Sequence, residues 1–347
     1  GGSNMSSKIG VIFDKPHIDI KLTVETKYTD GQKKTTREEI CKVLKQRYDV
    51  VEIIADEKII DRLIKSKIDL AFPLCTGIQG GNRQSQVPAI LEMLGIPYVG
   101  SGILGHSLAL SKSIAKQIFD YNNVSTPAFQ IFNTINQKLD TELKFPLIVK
   151  PSCEGSGFGI HKDSVVYTEV ELRKKVMSLL SEYHPPVLVE EFIEGREFTV
   201  GVIGNGNEKR FLPIMEIDFE NVPEEFGKFY TFEVKTQMDK ETKYICPAPL
   251  KPEVEEVIIE NVNRAFDVLE CKDFARVDIR LRENEAYILE INSLPGLKPI
   301  YSDLPKMASE AGLLYEDLIF EIVDTTINRL NKDKVIVSSG VVAEDIS

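Results

Sequence analysis

Tryptophan is absent from this chain, histidine occurs only four times, and no apolar run reaches the roughly 18 residues that a membrane-spanning helix requires. The last absence excludes a transmembrane helix and a membrane partner. Five cysteines, Cys41, Cys75, Cys153, Cys246 and Cys271, are an odd, scattered set with no C-x-x-C spacing, which argues against a disulfide framework or a cysteine zinc site. A reducing cytoplasm is the expected setting. Lys and Arg number 42 against 54 Asp and Glu, the net charge is −12, and no basic patch forms, so nucleic acid is not an expected partner. An anionic ligand must therefore be met locally. The opening "GGSNM" has no apolar h-region and is expected to be a cloning remnant ahead of Met5.

What is present suffices for several cores: 347 residues, 42% of them hydrophobic, suggest two or three domains. "KIGVIFD" (8–14), "DVVEII" (49–54) and "DLAFPL" (69–74) are short strand-like runs separated by helical patterns, the pattern of a parallel sheet covered by helices. The polar, Gly-containing stretch Thr26 to Thr36 is expected to be a loop at the carboxyl end of the first strand, where open α/β sheets collect ligands. Leu108 to Asn122 reads as one amphipathic helix opening a second region. Val254, Ile258, Val262, Ala265 and Phe266 recur at helical spacing after Pro252. A last helix is expected from about Tyr315 to Leu330, and 331–347, without helical period, reads as a strand or a loose tail.

In "FARVDIRLRENEAYILEINSLPG" (274–296) alternation puts Arg276, Asp278 and Arg280 on one face of a strand and Ile288, Glu290 and Asn292 together on the next. A turn centred on Asn284 sets Asp278 opposite Glu290 and Arg276 opposite Asn292. Facing carboxylates repel at such short range. A hard cation such as Mg²⁺ would compensate, with Asn292 adding a neutral oxygen and Arg276 flanking the metal to stabilise a developing anion. A solvated outer face neutralised by Arg276 and Arg280 explains the stretch too.

"VKPSCEGSGFGI" delivers Lys150 to a loop holding Gly155, Ser156, Gly157 and Gly159, whose backbone amides could cradle phosphate although the Walker A order is missing. A glycine turn without function reads the same way. Lys112 in "LSKS" is either a second phosphate contact or an ordinary surface lysine. "VLVEEFIEGREFTVGVIG" sets an acidic connector between two strands, able to offer main-chain groups to an adenine edge and Glu197 to a ribose, or merely to be a wet loop.

Taken in order, "SGILGHSLALSK", "FPLIVKPSCEGSGFGI", "VLVEEFIEGREFTVGV", "KYICPAPL", "FARVDIRL" and "YILEINSLPG" resemble the D-alanine-D-alanine ligase family of ATP-grasp enzymes over roughly residues 69–330. The resemblance implies an α/β chain, α+β in its C-terminal parts, with the three-domain ATP-grasp fold. An N-terminal parallel-sheet substrate domain (5–107) would precede a central (108–186) and a C-terminal, metal-holding (187–330) ATP-grasp subdomain and a tail (331–347). By motif position Lys112 and Lys150 resemble the lysines on the ATP phosphates and Ser156 the serine that closes over the reacting groups. Glu190 resembles the adenine-amine acceptor, Glu191 and Ile193 the main-chain adenine contacts, Glu197 the ribose ligand, and Lys235 the lysine of a mobile loop around 230–238. Asp278, Glu290 and Asn292 match the metal ligands and Arg276 the arginine that steadies the transition state.

The implied cofactors are ATP and two Mg²⁺ ions, with Mn²⁺ as a substitute. The implied reaction phosphorylates one amino acid's carboxylate and lets the amine of a second displace the phosphate, the chemistry of cell-wall dipeptide synthesis. A homodimer formed through the N-terminal domain is implied as well.

The departures fall on the amino-acid pocket. "DKPHIDIKLTVETKYTD" offers only Asp14, Asp19 and Glu25 as readers of the first substrate's amine. "CTGIQGGNRQSQ" puts Arg83 where the family is acidic, to bind a second substrate carboxylate or to pair with a surface acid. Thr236 follows Lys235 where an aromatic residue is common. Ser302, with Gly296 before it, matches the residue that binds the second substrate's carboxylate, but "IYSDLP" is one residue longer than usual and sets Asp303 beside it. The expected function is thus an ATP-dependent amino-acid ligase acting on D-alanine or, alternatively, on another amino acid, a dicarboxylic acid or a carrier-bound acyl group. A nucleotide-binding regulator without catalysis is the reading from another class.

Overall fold

The computed structural model describes residues 7–15, 24–77, 80–155, 157–183 and 186–340, apart from the side chains of 24–30 and 334–340. The first layer is β1 (Lys8–Asp14), α1 (Val24–Leu44), β2 (Asp49–Ala55), α2 (Ile59–Ser66), β3 (Leu70–Pro73) and α3 (Gln86–Met93). Its strands pair in parallel in the order β2-β1-β3. Two helices, α4 (Ile103–Leu110) and α5 (Lys112–Tyr121), lead into β4 (Phe129–Phe132), β5 (Leu147–Pro151), β6 (Val165–Val166), α6 (Glu169–Glu182) and β7 (Val187–Glu191). These four strands form an antiparallel sheet ordered β4-β7-β5-β6.

The remainder comprises β8 (Arg196–Ile203), β9 (Arg210–Phe211), β10 (Met215–Asp218), α7 (Phe232–Gln237), β11 (Lys243–Ile245), α8 (Pro252–Val268), β12 (Phe274–Arg282), β13 (Glu285–Asn292), α9 (Asp303–Glu310) and α10 (Tyr315–Gly340). Here the sheet order is β11-β10-β8-β12-β13, with β9 beside β8.

Three sequence expectations are corrected. The stretch Thr26 to Thr36 is no loop but lies inside α1. Thr35 and Thr36 satisfy their hydroxyls on the carbonyls of Gly31 and Gln32, and the helix is anchored further on, where Ile40, Cys41, Val43 and Leu44 are buried against the parallel sheet. Tertiary packing outweighs the weak local propensity of Gly and Thr. The segment read as one helix from Leu108 is broken at Ser111, whose backbone is extended. The last helix does not stop at Leu330 but continues to Gly340; 341–347 lie outside the described residues.

The cores divide unequally. One continuous apolar cluster joins the parallel sheet and α1 to the far end of the chain, packing Ile9, Phe72 and Leu44 with Phe274, Leu304, Leu318 and Ile322. A second lies between α5, α8 and the β8–β12–β13 sheet. The four-stranded sheet and α6 keep a separate core around Leu147, Val149, Leu172 and Val189. Asp273, fully buried just before β12, ties the first grouping with polar bonds. Its carboxylate accepts from Gly100 N (2.8 Å), Asn205 Nδ2 (2.9 Å), Thr326 Oγ1 (2.8 Å) and both Nε and an Nη of Arg329 (2.8 Å each).

Candidate active site

The break at Ser111 aims Lys112 inward. As the first residue of α5 it donates its main-chain N–H to the carbonyl of Ser152, just past β5, while Ser113 N donates to Ser152 Oγ. Its amino group, 6% exposed, reaches Glu290 Oε2 at 3.0 Å. Lys150, on β5, meets the Oε1 of Glu190 on the neighbouring β7, and Lys116, one turn after Lys112, meets the Oε2 of the same carboxylate at 2.6 Å. Burial works to raise the Glu190 pKa, but the two lysines outweigh it and hold the group below its ordinary value. Burial also pushes Lys116 down to about 8, against the pull of Glu190.

Sequence reasoning passed over Lys116. Its only trace was a second lysine four residues on, among apolar neighbours.

The β12–β13 hairpin pairs Asp278 with Glu290 and Arg276 with Asn292, as the alternation required, but by a different route. The turn contains two residues, Glu283 and Asn284, and its register sets Ile279 against Ile288. A regular ladder would then place Leu289 opposite Asp278. A β-bulge takes up one residue there and brings Glu290 to the Asp278 face, while Ile288 stays in the core with Ile279. Ile288 is therefore not on the Glu290 face, a second correction to the hairpin as read from sequence.

Arg276 holds Asp278 with two hydrogen bonds (3.0 and 2.9 Å), Thr199 Oγ1 donates to Asp278 at 2.7 Å, and Asn292 Nδ2 donates to its other oxygen at 3.0 Å. Burial works to raise the Glu290 pKa, but Lys112 and Lys150 bring it to about 2. Two hard carboxylates facing each other, with an amide whose nitrogen is turned to Asp278 and whose oxygen is left over, form a donor set that fits Mg²⁺. Among the described residues no group of three or more His, Cys, Asp or Glu gathers in a metal-holding arrangement, so phosphate or water oxygens would have to complete the shell.

Lys112, Lys150, Lys235, Asp278, Glu190 and Glu290 line one cleft between the two antiparallel sheets, together with Glu191, Ile193, Glu197, Arg276 and Asn292. Eleven residues singled out in the sequence thus meet. Glu197 and Arg280 form a buried double contact (3.1 and 2.8 Å), and Arg280 also donates to the Ile193 carbonyl at 2.9 Å, fixing the connector beneath the cleft. Burial holds Glu197 above the ordinary carboxyl range despite Arg280. The Glu191 side chain turns outward to Arg282 at 2.6 Å.

Ser156 lies outside the described residues. The glycine loop around it touches α7: Phe232 N donates to the Ile160 carbonyl, the rings of Phe158 and Phe232 lie 5.6 Å apart, and His161 Nδ1 meets Glu233 Oε1 at 2.5 Å. Lys235, on the same helix, is held below its ordinary pKa by burial and by Arg276.

A second, larger cavity of about 660 Å³ opens beside the first, and Arg276, Lys235 and Tyr230 stand in the wall between them. Gly296 and Ser302 line it, as do Thr236, Asp303 and, from the N-terminal sheet and α1, Asp14, Thr76 and Lys33. Asp14 accepts from Lys33 Nζ (3.0 Å), Thr76 N (2.8 Å) and Thr76 Oγ1 (2.9 Å). Asp19 lies outside the described residues, as does the side chain of Glu25. Arg83 lines neither cavity; it pairs with Glu154 at 3.2 Å and donates to the Cys153 carbonyl at 3.1 Å, fastening the glycine loop to the N-terminal layer.

Residues 110–324 match the family described as D-ala D-ala ligase C-terminus. A D-alanine–D-alanine ligase of Carboxydothermus hydrogenoformans is 37% identical over 291 residues, covering 81% of this chain and 88% of its own. The chain belongs to the D-alanine–D-alanine ligase family. A second member, from Ruminiclostridium cellulolyticum, is 34% identical over 77% of this chain and 70% of its own, and an uncharacterized protein, y4sG, of Sinorhizobium fredii is 36% identical over 75% of each. The crystal structure of the Bacillus anthracis D-alanine–D-alanine ligase complexed with ATP is similar at a TM-score of 0.74 and 27% identity, covering 95% of this chain and all of that one. The ATP-grasp fold and ATP-dependent ligation expected from the sequence thus hold for this member of the D-alanine–D-alanine ligase family.

Proposed function

We propose that the chain binds ATP in the first cleft and uses it to couple the carboxylate of one amino acid, in the larger cavity, to the amine of a second substrate. The meeting of the two cavities at Arg276 and Lys235 carries this reading: two cationic side chains border both the cleft of lysines and facing carboxylates and the substrate-sized space. Glu190 would take the adenine amine, Glu191 and Ile193 would meet adenine through the main chain, and Glu197 would hold the ribose, steadied by Arg280. Lys112, Lys150 and Lys235 would neutralise the phosphates. Asp278, Glu290 and Asn292 would hold Mg²⁺, two ions with the phosphates as further ligands, whose contribution when bound is to offset phosphate charge.

A carboxylate oxygen of the first substrate attacks the γ-phosphorus, the bond to the β–γ bridging oxygen breaks, and ADP leaves. The amine then attacks the acyl carbon, the acyl C–O bond breaks, and phosphate departs as an amide forms and a proton is released. Arg276 stabilises the oxyanion of that second step. The glycine loop, with Ser156, and α7 exclude the water that would hydrolyse the acyl phosphate. Gly296 and Ser302 lie where the second substrate would be held, and Arg83 contributes by seating the glycine loop.

The relatives are named for D-alanine; the contact of Asp303 with Arg276 favours a different second substrate here. The division at 5–107, 108–186 and 187–330, a cytoplasmic setting and a homodimer through the N-terminal layer accompany this proposal. ADP and phosphate release, measured with Mg²⁺ across D- and L-amino acids, dicarboxylic acids and amines with mass spectrometry of products, tests it. Release that needs a substrate pair and yields the matching amide is expected. No release with any pair would leave a nucleotide-binding regulator as the better description.

A further inference from the structure

The larger cavity holds a carboxylate of its own at its reactive end. Asp303, 7% exposed at the start of α9, forms an ion pair with an Nη of Arg276 at 3.2 Å, while Nε and the other Nη are engaged by Asp278. One guanidinium thus faces two carboxylates, its Nε–Nη edge on Asp278 and its other Nη towards Asp303. Lys306 stands 4.0 Å from the other oxygen of Asp303 with its amino group over the Tyr244 ring. The walls around this point include Tyr230, Tyr244, Phe232, Leu294 and Leu297, together with the cationic Lys235 and Lys298.

We infer that the second substrate is an amine without a carboxylate beside its nucleophilic nitrogen, such as an amino-acid amide or a primary amine, and that Asp303 selects it. The inference rests on the ligase reading above and names the acceptor class for the same site. An incoming carboxylate would meet Asp303 at short range beside a guanidinium already shared between two protein carboxylates, whereas an ammonium group gains an anionic neighbour in surroundings that screen poorly. Asp303 acts here as a specificity determinant; the bond-making groups are those already described.

The test is calorimetric titration of wild type and Asp303→Asn, both loaded with Mg²⁺ and a non-hydrolysable ATP analogue, with alaninamide and with alanine in each chirality. Asn keeps the size and a hydrogen-bonding oxygen, and binding of the analogue verifies that the variant is folded. The expected result is that alaninamide binds the wild type and that the substitution weakens it on the order of tenfold relative to alanine. An alaninamide-to-alanine ratio unchanged by the substitution, or no binding of alaninamide to the wild type, overturns the inference. Phosphate release with true ATP is followed in parallel. Its failure with every pair sinks the ligase reading, while the titration still decides which acceptor the cavity takes.

Discussion

Asp278 and Glu290 face each other across the β12–β13 ladder because a bulge absorbs one residue at Leu289. Each is compensated from a different side, Asp278 by Arg276 and Glu290 by Lys112. Asp278→Asn keeps an oxygen for Thr199 and removes one charge from the pair. With excess Mg²⁺, ATP-dependent phosphate release should fall on the order of a hundredfold while the melting temperature changes little, a comparison that a coupled ADP assay and a thermal scan make directly. Unchanged turnover would remove Asp278 from the metal site.

Glu190 between Lys116 and Lys150 is a buried three-charge cluster. Lys116→Met removes one cation and leaves the carboxylate on Lys150 alone, a loss of about 2 kcal/mol in urea unfolding. Adding Glu190→Gln to Lys116→Met should recover part of that loss, since no buried carboxylate is then left short of a partner. Additive losses in the double-mutant cycle would contradict the coupling.

His106, buried on α4, shares a 2.7 Å contact between its Nδ1 and Ser293 Oγ, and burial holds its pKa at about 4 against an ordinary 6.5. Between those values the unfolded chain binds the proton and the folded one does not. Stability from this group is therefore complete above pH 6.5 and declines as pH falls towards 4, by no more than about 3 kcal/mol. Glu290 adds its own loss only below 4.5, its ordinary value. Urea midpoints of the wild type should drop between pH 6.5 and 4.5, and His106→Asn should flatten that slope; equal slopes would assign the acid sensitivity elsewhere.

Phe158 and Phe232 join the glycine loop to α7 above the cleft. Phe232→Ala should loosen that closure and let water reach the acyl phosphate, so the ratio of phosphate released to amide formed rises above one. Simultaneous measurement of the two products checks this. A ratio that stays at one with lower turnover would instead mean that the ring acts on folding or binding.

Much of the site was legible because its signals are local. Strand alternation placed Arg276, Asp278 and Asn292 without any structure, and the motif order brought Lys112, Lys150 and Glu197 to the same cleft. The bulge at Leu289 was not legible, since a turn on Asn284 and a two-residue turn with a bulge give the same partners for Asp278. Lys116 was missed because a buried lysine looks like a surface lysine until the carboxylate that compensates it is known. The α1 helix was hidden by its Thr- and Gly-bearing first half, whose stability comes from contacts made by the second. Asp303 was noticed as an oddity, but its partner lies 27 positions earlier and only the fold brings Arg276 to it.

The bonds that converge on Asp273 bear on how the molecule can open. Because Gly100, Asn205, Thr326 and Arg329 all bind that one carboxylate, the N-terminal layer, the β8–β9 turn and α10 are riveted into a single chassis. The four-stranded sheet with α6 has its own core outside that grouping and is tied to it instead by Arg83 at the glycine loop and by Lys112 at Ser152, contacts that an opening motion would have to break. Nucleotide entry and product exit would then be governed by a jaw hinged near α5 and the β7–β8 connector, moving over a base that keeps Arg276 and the β12–β13 hairpin at rest.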